Sequence, residues 1–471
     1  MLDKITKFAD RYDMFPSSGV VLACVSGGAD SMCLLDALLE IEPSRGFDVS
    51  VAHFNHMLRD DEALRDEEFV REYCAGRGVG FYSGSGDVRA YAVENKLGIE
   101  EAAREMRYSY FCEAAAKAGA TQIATAHTMD DNAETIIMNL ARGAGASGLS
   151  GIPPVRDASR PFPTPYSLFP TPLGAKRLII RPMLCVSRDD VLLFAERRGV
   201  PFVEDSTNSL DIYTRNKVRH AIMPLLKEIN PRFNEAAAAT AELSRADEEY
   251  LSRTAEEFIR TQTRDGRVEC AALSQLTLAI SRRVVRMLYG GNLSFDHVQA
   301  VLELCRRTGP PASLSLPGMT VFREYGQLVF CSEGKERADG FAPVYPTKED
   351  SIIIPELGLK MSCKTITYSD IMANCANTDC FLFKSIDICG KMTVRPRREG
   401  DCIRLRGQNG TKTLKKLFIE RRIPSRERSS IPVVADDKGV LAVYGIGAGD
   451  RAVPELGDTA VQLEFATQGD D

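Results

Sequence analysis

No run of apolar residues in this chain approaches the length of a bilayer span, so a membrane-crossing helix is not expected. The opening residues MLDKITKFADRY carry acids and set Leu2, Ile5, Phe8 and Tyr12 at helical spacing, which does not read as a secretory signal. Thirteen cysteines are scattered without a CxxC pair and without a Cys/His group at metal-ligand spacing, which argues against a zinc site or a paired-thiol centre. Several of them, Cys24 and Cys33 among them, sit inside apolar segments as small hydrophobes. A reduced, cytoplasmic protein is the expectation. Internal repeats are also missing.

What is present is an ordinary globular composition, 44% hydrophobic and 26% charged, over 471 residues, enough for roughly two to four domains. The net charge of −6 conceals a local excess of the other sign. Between Lys391 and Arg428 thirteen Lys or Arg stand against four acids, interleaved with Val394, Ile403, Leu405, Leu414, Leu417, Phe418 and Ile423. Apolar residues at that density predict a folded segment. A folded basic face on an acidic protein is the footprint of a polyanion partner, with nucleic acid the first choice.

Residues 20–200 alternate strand and helix signals. Strands are predicted at VVLACV, at DVSVAHF (48–54), at TQIATAH (121–127) and at RLIIRPML (177–184). Helical patterns fall at 32–41, 61–78, 87–118 and 130–142. This alternation predicts an α/β fold with a doubly wound parallel sheet. Seven prolines within 153–172 predict an irregular insertion. From about 215 to 305 the pattern turns helical, with NEAAAATAELSRADEEYLSRTAEEFI as one long helix. Strand-like pieces (SLSLPG, MTVFREY, QLVF) and the basic segment follow. The expected organisation is a catalytic domain over 1–215, a mainly helical middle domain over 216–340, and a small α+β C-terminal domain over 341–471.

The most informative stretch is VVLACVSGGADSMCLL, residues 20–35. A β-branched run stops at Ser26-Gly27-Gly28-Ala29-Asp30-Ser31, and a helix with Met32, Leu34, Leu35, Leu38 and Leu39 begins at once. Strand, glycine loop and helix N-terminus together form an anion site, with backbone N–H groups and the helix dipole facing the ligand. A simple turn would also use glycines. Asp30 inside the cradle asks for more, because an acid there needs a metal or a cationic group beside it. The loop lacks the lysine of a Walker A loop, which argues against γ-phosphate transfer.

Further polar clusters follow predicted strands, at the sheet edge where ligands bind in such folds. They are His53-Phe54-Asn55-His56 and His127-Thr128-Met129-Asp130-Asp131. One of Asp130 and Asp131 is expected to cap a helix. The other, with His127, suits a metal or a proton transfer from an amine. On a helix, Glu100, Arg104 and Tyr108 share one face, so Arg104 is either a salt-bridged surface residue or an arginine aimed at phosphate. Glu204-Asp205-Ser206-Thr207-Asn208 precedes Arg215-Asn216-Lys217-Val218-Arg219-His220, a cationic run that reads as a solvated helix start or a phosphate contact.

SGGADS (26–31) resembles the pyrophosphate loop of the N-type ATP pyrophosphatases. With HFNHMLR (53–59), EEAAREMRY (100–108), ATAHTMDDNAET (124–135), GLSGI (148–152), EDSTN (204–208), RNKVR (215–219), RPRREGD (395–401), KKLFIERRIPSRER (415–428) and IPVVAD (431–436), the chain resembles the bacterial tRNA(Ile)-lysidine synthetases nearly end to end. Met57, where the family usually has a small residue, and the length of the proline-rich insertion are departures. The resemblance implies a ligase that uses ATP to adenylate the C2 carbonyl oxygen of the wobble cytidine in tRNA(Ile) with a CAU anticodon. The amine of free L-lysine then attacks C2 and expels AMP, leaving lysidine. It further implies that Ser26, Gly27, Gly28, Ala29, Asp30 and Ser31 hold ATP, and that Asp30, Arg104, His127 and Asp131 are catalytic. Lysine would meet Asp30, His127 and Asp130, and Mg²⁺ would meet Asp30 and Asp131. The tRNA would meet Arg215, Asn216, Arg219, Arg395, Arg397, Lys415, Lys416, Arg421 and Arg422. A homodimer without membrane attachment is in keeping with the family. The rivals are a tRNA thiolase with the same loop, a non-catalytic tRNA-binding protein, and a small-molecule amide ligase that the basic segment disfavours.

Overall fold

A computed structural model describes residues 1–57, 60–158, 177–203, 214–264, 266–291, 293–332, 340–347, 351–369 and 378–467. EDSTN (204–208), Leu58 and Arg59 of HFNHMLR, and most of the proline-rich insertion lie outside the described residues. The chain divides into two compact units, Met1–Glu256 and Glu257–Asp471.

The first unit is built on β1 (Gly19–Cys24), β2 (Phe47–Asn55), β3 (Gly80–Ser85), β4 (Ala120–Ala124), β5 (Val155–Asp157) and β6 (Leu178–Ile180), in the order β3-β2-β1-β4-β6-β5. All neighbours run parallel except β5. Val21, Leu22 and Ala23 of β1 are fully buried, because a central parallel strand is covered on both faces and needs no polar alternation. On one face α1 (Leu2–Arg11), α2 (Ala29–Arg45), α3 (Asp60–Ala75) and α8 (Arg188–Arg198) contribute Ile5, Leu34, Leu38, Val70, Val191 and Phe194 to one core. On the other, α5 (Ile99–Ala118) contributes Tyr108, Phe111 and Cys112 beside Leu22 and Ile123. This is the doubly wound sheet that the alternation predicts.

Three local differences have plain causes. The predicted helix over 87–118 is two, α4 (Val88–Asn95) and α5, because Lys96 turns to φ 55° and Gly98 is extended. RLIIRPML stops being a strand at Ile180, since Pro182 opens a 3₁₀ turn over Pro182–Cys185. The edge strand β3 went unpredicted because GFYSGS is glycine-rich and has no fully buried residue.

After β4 come α6 (Met129–Ala141) and α7 (Gly145–Leu149). After α8 come α9 (Thr214–Lys217), a π turn over Val218–Ile222, α10 (Met223–Ile229) and the alanine-rich α11 (Phe233–Gln262). Ala237 and Ala241 of α11 pack with Val218, Met223 and Ile136, so small residues let this helix approach α6. Strand order places the topological switch between β1 and β4. The loops after these two strands therefore open onto one crevice.

The second unit begins with β7 (Thr263–Arg264), β8 (Arg267–Glu269), α12 (Cys270–Gln275), α13 (Leu278–Tyr289), α14 (Phe295–Arg306), β9 (Ala312–Leu316), β10 (Met319–Glu324) and β11 (Gln327–Ser332). Its sheet runs β7-β8-β11-β10-β9. The chain then forms two four-stranded sheets. One comprises β12 (Ser351–Ile354), β13 (Leu359–Thr367), β14 (Cys380–Lys384) and β21 (Thr459–Thr467). The other comprises β15 (Thr393–Arg395), β18 (Val433–Asp436), β19 (Gly439–Val443) and β20 (Gly447–Ala448). Phe381, Phe383 and Leu463 of the first share a core with Val394, Val434 and Leu441 of the second. A short pair, β16 (Cys402–Ile403) and β17 (Lys412–Thr413), leads into α15 (Leu414–Glu420). The C-terminal part is α+β and rich in strand.

Candidate active site

The loop between β1 and α2 is built as an anion cradle. Gly27 takes φ +95°, which a side chain would strain, and Gly28 is the extended N-cap of α2 without any capping side chain. The first N–H groups of α2 therefore face outward with no side-chain acceptor at the cap. Ser31 Oγ donates to Gly28 O at 2.9 Å and accepts from Ser26 N at 3.1 Å, while Ser26 Oγ lies 3.2 Å from it. The hydroxyls thus brace the loop as well as offering donors. Val203 N donates to Gly27 O at 3.0 Å and anchors the loop from the far side.

Asp30 sits in the first turn of α2. Its Oδ1 is buried without a hydrogen-bond partner among the described residues, and its Oδ2 is 3.7 Å from Arg188 Nη1. Burial pushes its carboxyl up to about 6, with Asp131 and Asp130 adding to the shift and Arg188 and Arg219 opposing it. A half-buried acid with one oxygen unmatched among the described residues, beside an anion cradle, is a place for a cation.

The loop after β4 faces it. Thr125 Oγ1 and His127 Nδ1 are 3.0 Å apart. His127 is held well below its ordinary value, first by burial and then by Arg181, Arg215, Arg107 and Arg104, so its imidazole is neutral. Thr128 caps α6, and Asp131 closes a capping box by accepting from Thr128 N at 2.9 Å. Of the two acids, Asp131 is therefore the one that serves the helix end. Asp130 is saturated: Oδ2 accepts from Arg188 N at 2.8 Å, and Oδ1 from Asn234 Nδ2 at 2.6 Å and Lys227 Nζ at 3.2 Å.

Glu134, one turn on from Asp131 on the same face of α6, was not singled out in the sequence. It is buried, and Arg215 and Arg219 close over it: Arg215 Nε at 2.9 Å and Arg219 Nε at 2.6 Å. Both arginines also reach Asp131 Oδ1, at 3.1 and 3.2 Å. The i, i+3 spacing of Asp131 and Glu134 was the available signal. Asn216 lies between the two arginines on α9, half-buried.

Arg104 is exposed on α5, with its guanidinium 5.9 Å from the centre of the Tyr108 ring. Arg107 lies 5.8 Å from the same ring, and buried Arg181 donates to Pro153 O at 2.6 Å. Arginines 104, 107, 181 and 215 give this wall of the crevice a positive field suited to phosphate. His53 is buried on Val25 O at 2.9 Å, and His56 is pushed down to about 4 by burial, Arg107 and His53. Met57 takes φ 51°, in the left-handed region that a side chain disfavours.

In the second unit the basic segment divides. Lys415, Lys416, Arg421 and Arg422, on α15 and its C-terminal end, are exposed, while Leu414, Leu417 and Phe418 anchor the helix beneath them. Arg397 is half-buried. Arg395 is buried and fully engaged with Asp401, at 2.7 and 2.9 Å. Its role in the structure is to hold the RPRREGD turn. Arg426 and Arg428 are likewise turned inward, the latter donating to Tyr325 Oη at 2.8 Å.

Among the described residues no group of three or more His, Cys, Asp or Glu is arranged to hold a metal. Mg²⁺ characteristically takes one or two carboxylates and completes its shell with phosphate and water. The unmatched Oδ1 of Asp30 fits that requirement, whereas Asp131 Oδ1 is shared by two arginines.

A doubly wound sheet with an uncapped glycine loop and an acid in its first turn defines a PP-loop nucleotide-handling protein. A family model described as PP-loop domain matches residues 2–226, one described as TilS substrate binding domain matches 269–329, and one described as TilS substrate C-terminal domain matches 392–465. The tRNA(Ile)-lysidine synthase of Geobacillus kaustophilus is 33% identical, covering 95% of each chain. That of Dehalococcoides mccartyi is 29% identical over the whole of both. A crystal structure of a TILS C-terminal domain aligns with 27% of this chain and 98% of its own, at 26% identity and a TM-score of 0.25. The chain belongs to the tRNA(Ile)-lysidine synthase family, a family of ligases that form a C–N bond.

Proposed function

We propose that this chain converts the wobble cytidine of tRNA(Ile) with a CAU anticodon to lysidine, consuming ATP and L-lysine and releasing AMP and pyrophosphate. The observation that carries the reading is the buried oxygen of Asp30, unpartnered among the described residues, at the mouth of an uncapped phosphate loop. Backbone N–H groups from Gly27 to Ser31, with the Ser26 hydroxyl, hold the ATP phosphates, and Arg104 offsets charge that develops as AMP leaves. Mg²⁺, when bound at Asp30, supplies charge neutralisation of the phosphates.

Lysine's ε-ammonium has an ordinary pKa near 10.4 and must lose a proton before nitrogen can attack C2. Asp30 or Asp131 takes that proton. His127, neutral at pH 7, hydrogen-bonds the incoming amine. Nitrogen then bonds to C2, and the C2–O bond to AMP breaks. Asp130, already saturated by three donors, supports this site and is the weakest of the expected lysine contacts. Residues 1–215 form the catalytic part on this reading. The parts over 216–340 and 341–471 grip tRNA, the latter through Lys415, Lys416, Arg421, Arg422 and Arg397. The working form is a cytoplasmic homodimer.

The sulfur-delivering alternative needs a reactive thiol near the loop. Cys24 and Cys33 are both buried and their thiols are pushed up, Cys33 to about 12. The decisive experiment combines the protein with unmodified tRNA(Ile) bearing CAU, ATP-Mg²⁺ and labelled L-lysine, with tRNA(Met) in parallel. Label in tRNA(Ile) alone, with AMP release, is expected. AMP without label would redirect the reading to another nucleophile, and tRNA binding without AMP would leave a non-catalytic binder.

A further inference from the structure

RRIPSRER (421–428) belongs to the basic segment, yet Arg426 is only 12% exposed and Arg428 is half-buried. Both cross a seam inside the second unit, between the turn that follows α15 and the sheet of the middle part. Arg426 lies over the Phe322 ring of β10 at 5.3 Å, donates to Cys331 Sγ of β11 at 3.2 Å, and stands 3.9 Å from Glu324 Oε2. That oxygen is buried and has no hydrogen-bond partner among the described residues. Arg267 of β8 donates to Glu427 Oε1 at 2.7 Å, and the same oxygen accepts from Arg426 Nη2 at 3.2 Å. Tyr325 Oη donates to Ile423 O at 3.2 Å and accepts from Arg428 Nη2 at 2.8 Å. Tyr325 and Gly326 form the two-residue tip of the β10–β11 hairpin, at φ 51° and 81°. A tyrosine is strained in that region, and it persists there because its surroundings hold it.

A guanidinium as enclosed as that of Arg426 is spent on the protein and not on a phosphate. A buried ion pair adds little net stability, because desolvation offsets the attraction, but its directional bonds admit one geometry. What that geometry fixes is visible in the chain. Ile423 N donates to Phe418 O at 2.8 Å, so the turn gripped by the hairpin is continuous with the end of α15, which carries Lys415, Lys416 and Arg421. Holding a binding face in its competent arrangement matters to affinity, since the apparent Kd rises in inverse proportion to the population of that arrangement.

We infer that Arg426 and Tyr325 are positioning residues for tRNA. They lock the turn after α15 to the β10–β11 hairpin and hold the cationic face of α15 at one bearing to the middle part, without touching the RNA. This rests on the lysine-transfer reading, which makes tRNA the polyanion.

The test measures tRNA(Ile) binding by the full chain across a salt series, with steady-state lysine transfer beside it, in wild type, Arg426→Gln, Arg426→Lys and Tyr325→Phe. In Arg426→Gln the aligned arrangement is expected to fall to about a tenth of the population, which raises Kd and KM for tRNA about tenfold. The slope of log Kd against log salt should stay within about 0.5 of wild type, because the phosphate contacts made once bound are the same. Neither kcat nor KM for ATP should change by more than about twofold, since both belong to the first unit. Arg426→Lys keeps the charge without the fork and should recover part of the affinity. Tyr325→Phe removes one hydroxyl and should raise Kd about threefold with the slope unchanged. A slope lower by about one in Arg426→Gln would make Arg426 a direct phosphate contact. An unchanged Kd in all three variants would leave the seam without this role, and either result overturns the inference. Should Arg426→Gln fail to fold, Arg426→Lys and Tyr325→Phe decide on the same readings. Absence of tRNA binding or lysine transfer by the wild-type protein would instead overturn the functional reading beneath it.

Discussion

Asp30 is costly where it stands. Its carboxyl is raised to about 6, chiefly by burial, from an ordinary 3.8. The folded chain therefore binds a proton more readily than the unfolded one, and stability falls as pH rises from about 4 to about 6. Above that window the cost is on the order of 3 kcal/mol. Asp30→Asn should accordingly raise the melting temperature at pH 7.5 and give no gain at pH 4, while abolishing lysine transfer. Melting curves at the two pH values check this. A lowered melting temperature at pH 7.5 would mean that Asp30 is well partnered in the folded chain. Gly27 makes the complementary case: at φ +95°, Gly27→Ala should cost about 1–2 kcal/mol and weaken ATP binding, measurable by denaturant titration and calorimetry. The loop was legible because glycines, serines and an acid each bring a distinct chemistry. The orphaned oxygen was not, because orphaning depends on what else surrounds it.

At the scale of elements, α6 is tied to α9 and the π turn by Asp131, Glu134, Arg215 and Arg219. Buried Glu134 has each oxygen taken, so removing the charge leaves two arginines facing one remaining acid. Glu134→Gln should destabilise the first unit by about 2 kcal/mol, less than a fully buried pair because the arginines are partly exposed. Thermal unfolding in the absence of tRNA measures it. The motif RNKVR suggested that Arg215 and Arg219 meet tRNA, and the structure finds them on these carboxylates. Such partners come from residues more than 80 apart in sequence, which no local pattern reports. Helix periodicity and turn residues, being local, yielded the elements themselves. Their errors fell at Gly98, Pro182 and the glycine-rich β3, where a single residue or an edge position overrides the pattern.

For the whole molecule, the acidic balance and the basic segment make different claims on a polyanion. Lys415→Glu with Lys416→Glu, on the exposed face of α15, should weaken tRNA binding and flatten its salt dependence by roughly one log unit per log unit of salt for each phosphate no longer neutralised. ATP binding should not change. Arg395→Ala should instead unfold the C-terminal part more readily, by about 2–3 kcal/mol, because it takes the guanidinium from half-buried Asp401. Filter binding across salt concentrations, set beside melting temperatures, separates the two effects. Sequence alone determined the doubly wound sheet, the phosphate loop, the family and the existence of a basic face, because each is written in short-range periodicity or contiguous motifs. Only the tertiary structure decided which cations of the basic segment face solvent, which acid of the 130–131 pair caps the helix, and that Arg188 stands beside Asp30. Those depend on burial and on partners distant in the chain, and a charge has no fixed role until its surroundings set one.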